Sequence, residues 1–342
     1  MGNSTTKPHN IALVMLTVTA VIWGAGFVFG NSLLNNGFMP IPLTLNAMRF
    51  LCGAVVLIAV FARRIKLTKK LIGLGALSGA MLCMGYSLQF VGLKYTTPAA
   101  CGFFTAAYGI FVPFLTWIFY KKRPSWLMFV GIGVALVGLV ILNVNSMGLM
   151  LSTEVFLGNM LTLAGSFFFA IQIVFGDYCL HKKQINATDL TVVQVVFCTL
   201  FMFIVALFEV KQYKSLNINW EQCWWQLAIV AVMGTAFAYF AQTYAQKHLV
   251  PTETSIILAC ECPVGAIISI AIGKDLLTWQ ICVGGLLVVA SVVIIEVLPK
   301  VLERLKRKAC EPDSADTASD NGEPTCEDIS TEENTAEKEN DK

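Results

Sequence analysis

The sequence predicts an all-α integral membrane protein, with ten transmembrane helices arranged as two inverted five-helix repeats. Three observations lead to this prediction: long apolar blocks, an uneven distribution of cations between the segments that join them, and a residue pattern that recurs in the second half. Apolar residues make up 56% of the 342 residues and charged residues only 13%, about half of the charged share of a soluble domain.

Each apolar block is about 20 residues long, which is the length that a helix needs to cross the hydrocarbon core. Backbone groups in lipid must pair internally, and the blocks lack the alternation of barrel strands, so each block is predicted to be a helix. The first block is too long for a signal peptide and is expected to stay as a span. The predicted spans are residues 11–33, 43–62, 71–93, 98–120, 126–143, 155–179, 188–209, 224–246, 252–272 and 278–298.

The cations outside these blocks are concentrated in alternate segments. One alternating set carries seventeen and the other carries four. The larger set comprises Lys7, Arg63, Arg64, Lys66, Lys69, Lys70, Lys121, Lys122, Arg123, Lys182, Lys183, Lys247, Lys300, Arg304, Lys306, Arg307 and Lys308, and the smaller set comprises Lys94, Lys211, Lys214 and Lys274. Cytoplasmic loops carry the excess of cations, so we expect a multi-pass protein of the cell membrane with both termini in the cytoplasm.

The two halves of the chain match, without a gap, at a shift of 153 residues. Tyr86, Gln89, Lys94 and Pro98 recur as Tyr239, Gln242, Lys247 and Pro251, and Trp126 recurs as Trp279. Predicted helices three to five therefore match helices eight to ten. Because five is an odd number, the second copy is inverted in the membrane. Inverted repeats are a recurring plan of secondary transporters, with the substrate site near the midplane.

These boundaries predict three parts of the chain. The first repeat covers 10–143, the second covers 155–298, and residues 299–342 form a basic juxtamembrane segment followed by an acidic tail. Residues 311–342 hold twelve of the 22 acidic residues and two lysines, without apolar periodicity. Such a segment cannot bury a core, so the tail is predicted to be disordered and cytoplasmic.

Several motifs resemble the EamA-like branch of the drug/metabolite transporter superfamily. The pairs Trp23-Gly24 in the first helix and Arg49-Phe50 in the second resemble its opening signatures. Residues 88–125 are similar to the first-repeat segment of the family and residues 244–264 to the second. The resemblance covers about residues 10–298. It implies ten spans, a central cavity lined by helices one, three, four, six, eight and nine, and transport of amino acids or related metabolites, often outward.

One departure from the family pattern falls in the ninth helix. The family reads Glu-Pro, whereas Glu261 and Pro263 flank Cys262 in this chain. The expected kink is therefore displaced by one residue. Pro113 and Pro263 both lie inside predicted helices, where proline bends the helix or frees carbonyls.

Glu261 is the sharpest candidate for substrate binding or coupling. It lies about nine residues, or roughly 13 Å, into the ninth predicted helix, close to the midplane. A carboxylate there costs about 2.5 kcal/mol or more unless it is hydrated, paired or protonated. The residue is therefore a candidate for binding and releasing a proton, or else a structural carboxyl beside Pro263. Tyr108 is its repeat mate and could bind cargo, bind Glu261 or simply pack.

The other candidates are an aromatic residue and three amides. Trp23 lies near the middle of the first helix, whereas tryptophan usually lies at the interface, so we expect it in a cavity wall. Gln89 and Gln242 are expected near the two mouths of the cavity, or else in interhelical hydrogen bonds. Gln172 shares that ambiguity.

Two further charged residues receive other predictions. Arg49 lies about two turns into the second helix and is expected to extend outward to the interface. Asp177 lies beside His181, Lys182 and Lys183 and is expected in a surface ion cluster.

The favoured function is secondary transport of small neutral or zwitterionic metabolites such as amino acids or drugs. The expected direction of this transport is export. Its partners are the cargo, the lipid bilayer and, as a candidate coupling ion, the proton; we expect no nucleic acid, cofactor, metal or catalytic residue. A nucleotide-sugar or sugar-phosphate carrier is the neighbouring alternative, disfavoured because helices four, six, eight and nine lack a deep Lys or Arg. A membrane enzyme or a receptor is the alternative from another class. His9, His181 and His248 are scattered, and no H-E-x-x-H or G-x-S-x-G motif occurs.

Overall fold

The computed structural model describes residues 6–36, 39–121, 126–147, 152–211, 218–273, 276–294, 298 and 301–302. Within these ranges 87% of the residues are helical and none is in a strand. The helices are α1 Thr6–Asn35, α2 Pro42–Phe61, α3 Lys69–Tyr95, α4 Pro98–Thr105, α5 Tyr108–Tyr120, α6 Trp126–Met147, α7 Thr153–Asp177, α8 Ala187–Val210, α9 Trp220–Ala231, α10 Ala238–Gln246, α11 Pro251–Ala259, α12 Glu261–Ala271 and α13 Trp279–Val292. Two π-helical segments, Tyr178–Lys182 and Val232–Phe237, continue α7 and join α9 to α10.

Eight helical stretches in the described part of the chain are long and apolar enough to cross a membrane. They are Pro8–Asn35, Pro42–Phe61, Lys69–Tyr95, Pro98–Tyr120, Thr153–Lys182, Ala187–Val210, Trp220–Gln246 and Pro251–Ala271, and they match predicted spans one to four and six to nine. Predicted spans five and ten fall on α6 and α13, whose apolar stretches are shorter. The all-α membrane class is confirmed, whereas ten spans remain a prediction.

Several helices begin where a side-chain oxygen caps the first turn. Thr68, Thr97, Ser152 and Asn186 accept hydrogen bonds from the exposed N–H groups of α3, α4, α7 and α8. Such caps satisfy donors that have no partner within the helix. They fix the residue at which each of these four helices begins.

The fourth and ninth spans are each interrupted near their middle. The fourth breaks at Ala106 and Ala107 and the ninth at Cys260. Pro263 is the third residue of α12 and has no N–H for the carbonyl four residues earlier, which explains the break before it. By contrast, Pro113 lies inside α5, which continues through it, and the break of the fourth span comes before this proline.

Glycines allow α3 and α7 to approach closely along their length. A Cβ added at Gly92 would lie 2.5 Å from the Gly158 carbonyl oxygen and 2.3 Å from Thr162 Oγ1. One added at Gly165 would lie 2.7 Å from the Gly85 carbonyl oxygen. These distances are too short for a side chain, so the backbones of the two helices are in direct contact, as in many membrane helix pairs.

The chain divides into two units, Met1–Ile295 and Glu296–Lys342. The first contains every helix named above. In the second, the structure describes residues 298, 301 and 302, which are helical and exposed. The predicted basic segment and acidic tail therefore lie almost wholly outside the described residues.

Candidate functional site

A cavity of about 230 Å³ lies in the first unit, among seven of its spans. Its wall is formed by α1, α2, α3, the breaks of the fourth and ninth spans, α7 and the eighth span. All six candidates from the sequence line it: Trp23, Gln89, Tyr108, Gln172, Gln242 and Glu261. The second helix also contributes, which the family resemblance did not imply.

Glu261 and Tyr108 are in direct contact in the cavity wall. The Tyr108 hydroxyl donates a hydrogen bond of 2.9 Å to Glu261 Oε1, and each side chain is only 2% exposed. Tyr108 is the first residue of α5 and Glu261 is the first residue of α12. The two helix breaks therefore place this pair, because each residue starts the second half of its interrupted span.

The close approach of α1 completes the wall beside Glu261. A Cβ at Gly24 would lie 2.7 Å from the Glu261 carbonyl oxygen and 2.9 Å from the Gly265 nitrogen. Only a glycine fits at this distance. The Trp-Gly pair of the sequence thus has a physical reason: the glycine admits α12, and Trp23 beside it enters the cavity wall.

An aromatic cluster holds the centre of the cavity together. The Tyr239 hydroxyl donates a hydrogen bond of 2.8 Å to the Tyr86 hydroxyl, and Trp23 lies 5.5 Å from the Tyr239 ring. The indole N–H of Trp23 donates to the Gly234 carbonyl, at 2.9 Å. Gly234 belongs to the π-helical segment of the eighth span, where the looser backbone presents this carbonyl to side chains.

Arg49 lies in the cavity wall, so its predicted extension to the interface is wrong. It is 5% exposed and lines the same cavity. Its Nε donates to Thr235 Oγ1 at 2.8 Å and its Nη2 donates to the Gly234 carbonyl at 3.0 Å. Its guanidinium carbon also lies 4.8 Å from the centre of the Tyr86 ring, close enough for a cation–π interaction. The partners on the eighth span turn the side chain inward.

The glutamines form a hydrogen-bonded chain on one side of the cavity. Gln242 donates to Gln172, and Gln172 donates to Gln194, each at 3.3 Å. Gln89, on α3, donates instead to Thr105 of the fourth span at 2.9 Å. Gln89 and Gln242 therefore line the same cavity, and each makes a hydrogen bond to another helix. The Gln242 Oε1 is buried and has no hydrogen-bond partner among the described residues.

A second polar cluster lies where the fourth and sixth spans end. The Tyr120 hydroxyl donates to Asp177 Oδ2 at 2.6 Å, and His181 Nδ1 lies 2.8 Å from Asp177 Oδ1. The predicted pairing of Asp177 with His181 is present, but Asp177 is only 8% exposed, so the predicted surface position of the carboxylate is wrong: it is buried and joins α5 to α7.

The three histidines, far apart in the sequence, come near one another at this end of the molecule. Partial burial is the main factor that lowers the pKa of His248, and the charges of Lys247, His9 and His181 lower it further. Among the described residues, no group of three His, Cys, Asp or Glu side chains could hold a metal ion.

Residues 10–144 and 156–297 each match the model of the EamA-like transporter family. The chain belongs to this family. The EamA-like chain is 25% identical over 280 residues to a protein of Archaeoglobus fulgidus named as an uncharacterized transporter, covering 82% of this chain and 84% of that protein. A solved crystal structure matches it with a TM-score of 0.66 at 15% identity, over 85% of this chain and 98% of the other; this likeness shows the fold alone.

Membership of the family makes the chain a membrane transporter of the drug/metabolite transporter superfamily. Sequence reasoning missed Arg49, Tyr86 and Tyr239 as cavity residues. Both tyrosines stood in the repeated pattern, where a residue shared by both halves was a usable signal. Arg49 gave a signal as well, because a charge two turns inside a span needs partners.

Proposed function

We propose that this EamA-like transporter carries small neutral or zwitterionic metabolites of amino-acid size, exporting them by alternating access around the cavity. The observation that carries the proposal is a buried cavity whose wall holds one cationic and one acidic side chain, Arg49 and Glu261, among mostly apolar neighbours. Its volume of about 230 Å³ is below the roughly 300–1,000 Å³ of pockets for drug-sized ligands, so small metabolites are favoured over larger drugs.

The proposal includes ten helices in two inverted repeats, 10–143 and 155–298. Two hydrogen-bonded pairs support it, since Tyr86 with Tyr239 and Tyr108 with Glu261 are each separated by 153 residues. Residues related by a pseudo-twofold axis meet only where they lie close to that axis. The two span breaks follow the same shift, and α6 packs against α13, as equivalent fifth and tenth helices would.

The cation distribution favours cytoplasmic termini in the cell membrane. The cavity runs from the middle of α1 toward its carboxyl end, from Val21 to Phe29, which in this orientation is the outer side. The Tyr120–Asp177 bond then closes the inner side. This arrangement corresponds to an outward-facing state, and the opposite state would require the two repeats to rock and break that bond.

Glu261 is the proposed coupling group. Its carboxyl is buried at mid-span, bound to a neutral hydroxyl donor, and no cation lies within 4.0 Å of it among the described residues. A carboxylate in such surroundings is costly unless it binds a proton or a cationic ligand. Alternate occupation by a proton and by a cargo ammonium would link the two fluxes.

A sugar-phosphate type of carrier is the second candidate, because Arg49 places a cation in the cavity. The sequence argument against this carrier considered helices four, six, eight and nine and overlooked the second. The charge balance still disfavours it: a phosphate with two negative charges would lie near one arginine and one glutamate, in a cavity smaller than most ligand pockets.

The test is transport by the purified protein in proteoliposomes, with a panel of neutral L-amino acids and an imposed pH gradient. We expect gradient-driven movement of at least one of them, abolished by a protonophore. Absence of transport for the whole panel, with transport of a sugar phosphate, would favour the second candidate. Turnover of a substrate into a new compound would instead indicate an enzyme.

A further inference from the structure

Arg49 is a buried cation without an anionic partner among the residues that the structure describes. The ion pair found in the described part of the chain joins Asp177 and His181, and no carboxylate there lies within 4.0 Å of the Arg49 guanidinium. Arginine within a membrane span is costly and normally pairs with an anion, with backbone carbonyls or with water in a cavity. The neighbours of Arg49 are neutral: a hydroxyl, a carbonyl and aromatic rings.

The hydrogen bonds of Arg49 use one edge of the guanidinium fork. Nε and Nη2 donate to Thr235 and Gly234 in the described structure. The end of the fork is formed by Nη1 and the second hydrogen of Nη2. Arg49 lines the cavity, and the neutral Tyr86 side chain is the further polar group in contact with its guanidinium. Two parallel N–H groups of this kind match the two oxygens of a carboxylate. The anchors on the eighth span hold the fork in place before a ligand arrives.

The rest of the cavity offers acceptors for a positive group. Glu261 carries the acidic side chain of the wall, and Gln242 Oε1 is buried without a partner among the described residues. The remaining wall is largely apolar and includes Trp23, Phe27 and Phe90. One donor fork, separate acceptors and an apolar wall together fit a molecule with a carboxylate, an ammonium group and an apolar side chain.

We propose that Arg49 binds the carboxylate of the cargo and thereby restricts transport to molecules with a free carboxylate, the ammonium group being held by Glu261 and Gln242. This inference rests on the proposed function, because it names the charged group through which the same cavity selects its cargo. It assigns the second helix, through one side chain, a direct role in specificity.

The competing explanation is that Arg49 only anchors the π-helical segment through Thr235 and Gly234. Both explanations predict damage when the side chain is removed. They differ in selectivity: an anchor affects acids and their amides alike, whereas a carboxylate-binding group discriminates between them.

The experiment compares matched ligands on the purified full chain. Wild-type protein in proteoliposomes is given each neutral L-amino acid and its α-carboxamide, which keeps the ammonium group and side chain but lacks the carboxylate. The ratio of kcat/KM for acid and amide is measured for wild type, Arg49→Lys, Arg49→Gln and Thr235→Val. Arg64→Gln, an exposed arginine in the turn after the same helix, is the matched control.

We expect wild type to prefer the acid at least tenfold, as the loss of a charge-assisted hydrogen bond implies. Arg49→Gln should bring the ratio near one, mainly through KM, and Arg49→Lys should retain part of the preference. Thr235→Val loses an anchor but keeps the guanidinium, so its acid preference should survive even if its rate falls. Arg64→Gln should match wild type.

Two results would contradict the inference while leaving the proposed function intact. The first is equal transport of amides and acids by wild type, and the second is an Arg49→Gln variant in which both rates fall equally and the ratio is unchanged. If Arg49→Gln does not fold, the other two variants decide: equal transport of acid and amide by both Arg49→Lys and Thr235→Val would contradict the inference. If no amino acid and no amide is transported, the proposed function fails first.

Discussion

At the scale of single residues, the cavity is defined by side chains whose polar atoms meet across long sequence separations. Glu261 is the clearest case. Its carboxyl accepts a hydrogen bond from the Tyr108 hydroxyl at 2.9 Å, and its backbone carbonyl lies against α1 at Gly24. A buried titratable group with one neutral donor can change its protonation when its surroundings open to water, which is what a coupling group requires.

Glu261→Gln tests this role, because it keeps the shape and the acceptor oxygen for Tyr108 but removes the titrating proton. If Glu261 carries the coupled proton, the variant should lose accumulation against a gradient by tenfold or more and still exchange cargo between the two sides. Both rates can be followed with radiolabelled amino acid in proteoliposomes.

Tyr108→Phe is the matched control for Glu261→Gln. It removes the hydrogen bond that Glu261→Gln retains and leaves the titrating carboxyl, so proton-driven accumulation should persist. Accumulation by Glu261→Gln at the wild-type level would rule out proton coupling through this residue. If Glu261 is instead a structural carboxyl, Glu261→Gln should transport nearly as well as wild type and Glu261→Leu should misfold.

At the scale of helices, close backbone contact between α3 and α7 joins the halves of the molecule. The contact depends on the absence of side chains at Gly92, Gly158 and Gly165. Protein interiors do not absorb an added methyl group freely, and overpacking costs about 1–3 kcal/mol. The sequence shows these glycines but not which surfaces they face.

Gly92→Ala is therefore expected to destabilise the protein by about 1–3 kcal/mol. Gly73→Ala, in the same helix, should be neutral or slightly stabilising, because nothing lies within 4 Å of an added Cβ there and alanine favours helices. Thermal unfolding of both variants in one detergent measures the difference. Equal melting temperatures of the two variants would show that α3 and α7 can move apart around the added methyl group without a loss of stability.

At the scale of the whole molecule, orientation and the two repeats determine how alternating access could work. Cation asymmetry favours cytoplasmic termini, and residue pairs separated by 153 positions meet inside the cavity. The Tyr120–Asp177 bond joins the fourth and sixth spans at the end toward which the cations are concentrated. In the proposed mechanism, rocking of the two proposed repeats would break this bond and close the opposite end.

The orientation predicts which loops an impermeant thiol reagent reaches in intact cells. In a background without native cysteines, a cysteine at Asn36 should be labelled from outside, and one at Thr68 or Lys182 should be labelled only after the cells are broken. Labelling at Thr68 in intact cells would reverse the orientation. It would also make the state shown here inward-facing.

The acidic tail is expected to be dispensable for transport, because its composition cannot build a packed surface. Deletion of residues 312–342 should leave the initial transport rate within about twofold of the full chain, at equal expression measured by immunoblot. A complete loss of transport at normal expression would assign the tail an active role.

The sequence by itself determined the elements and much of the cavity. Its apolar blocks predicted the spans, because the bilayer imposes a length on every crossing helix. Its repeat made Tyr108 the equivalent of Glu261 and offered a contact between them as one of three interpretations, and equivalent residues near a symmetry axis are neighbours in space. Glu261, Tyr108 and Trp23 could be found this way, since polar or interface-seeking residues at mid-span stand out against an apolar background.

Only the tertiary structure decided where the side chains with several possible directions point. Arg49 could have reached the interface, and it turns inward because a π-helical segment six spans away in the proposed fold presents Gly234 and Thr235 to it. Asp177 could have been solvated, and it is buried because Tyr120 from another span donates to it. In both cases the deciding partner lies more than 50 residues away, and periodicity within one helix carries no information about that partner.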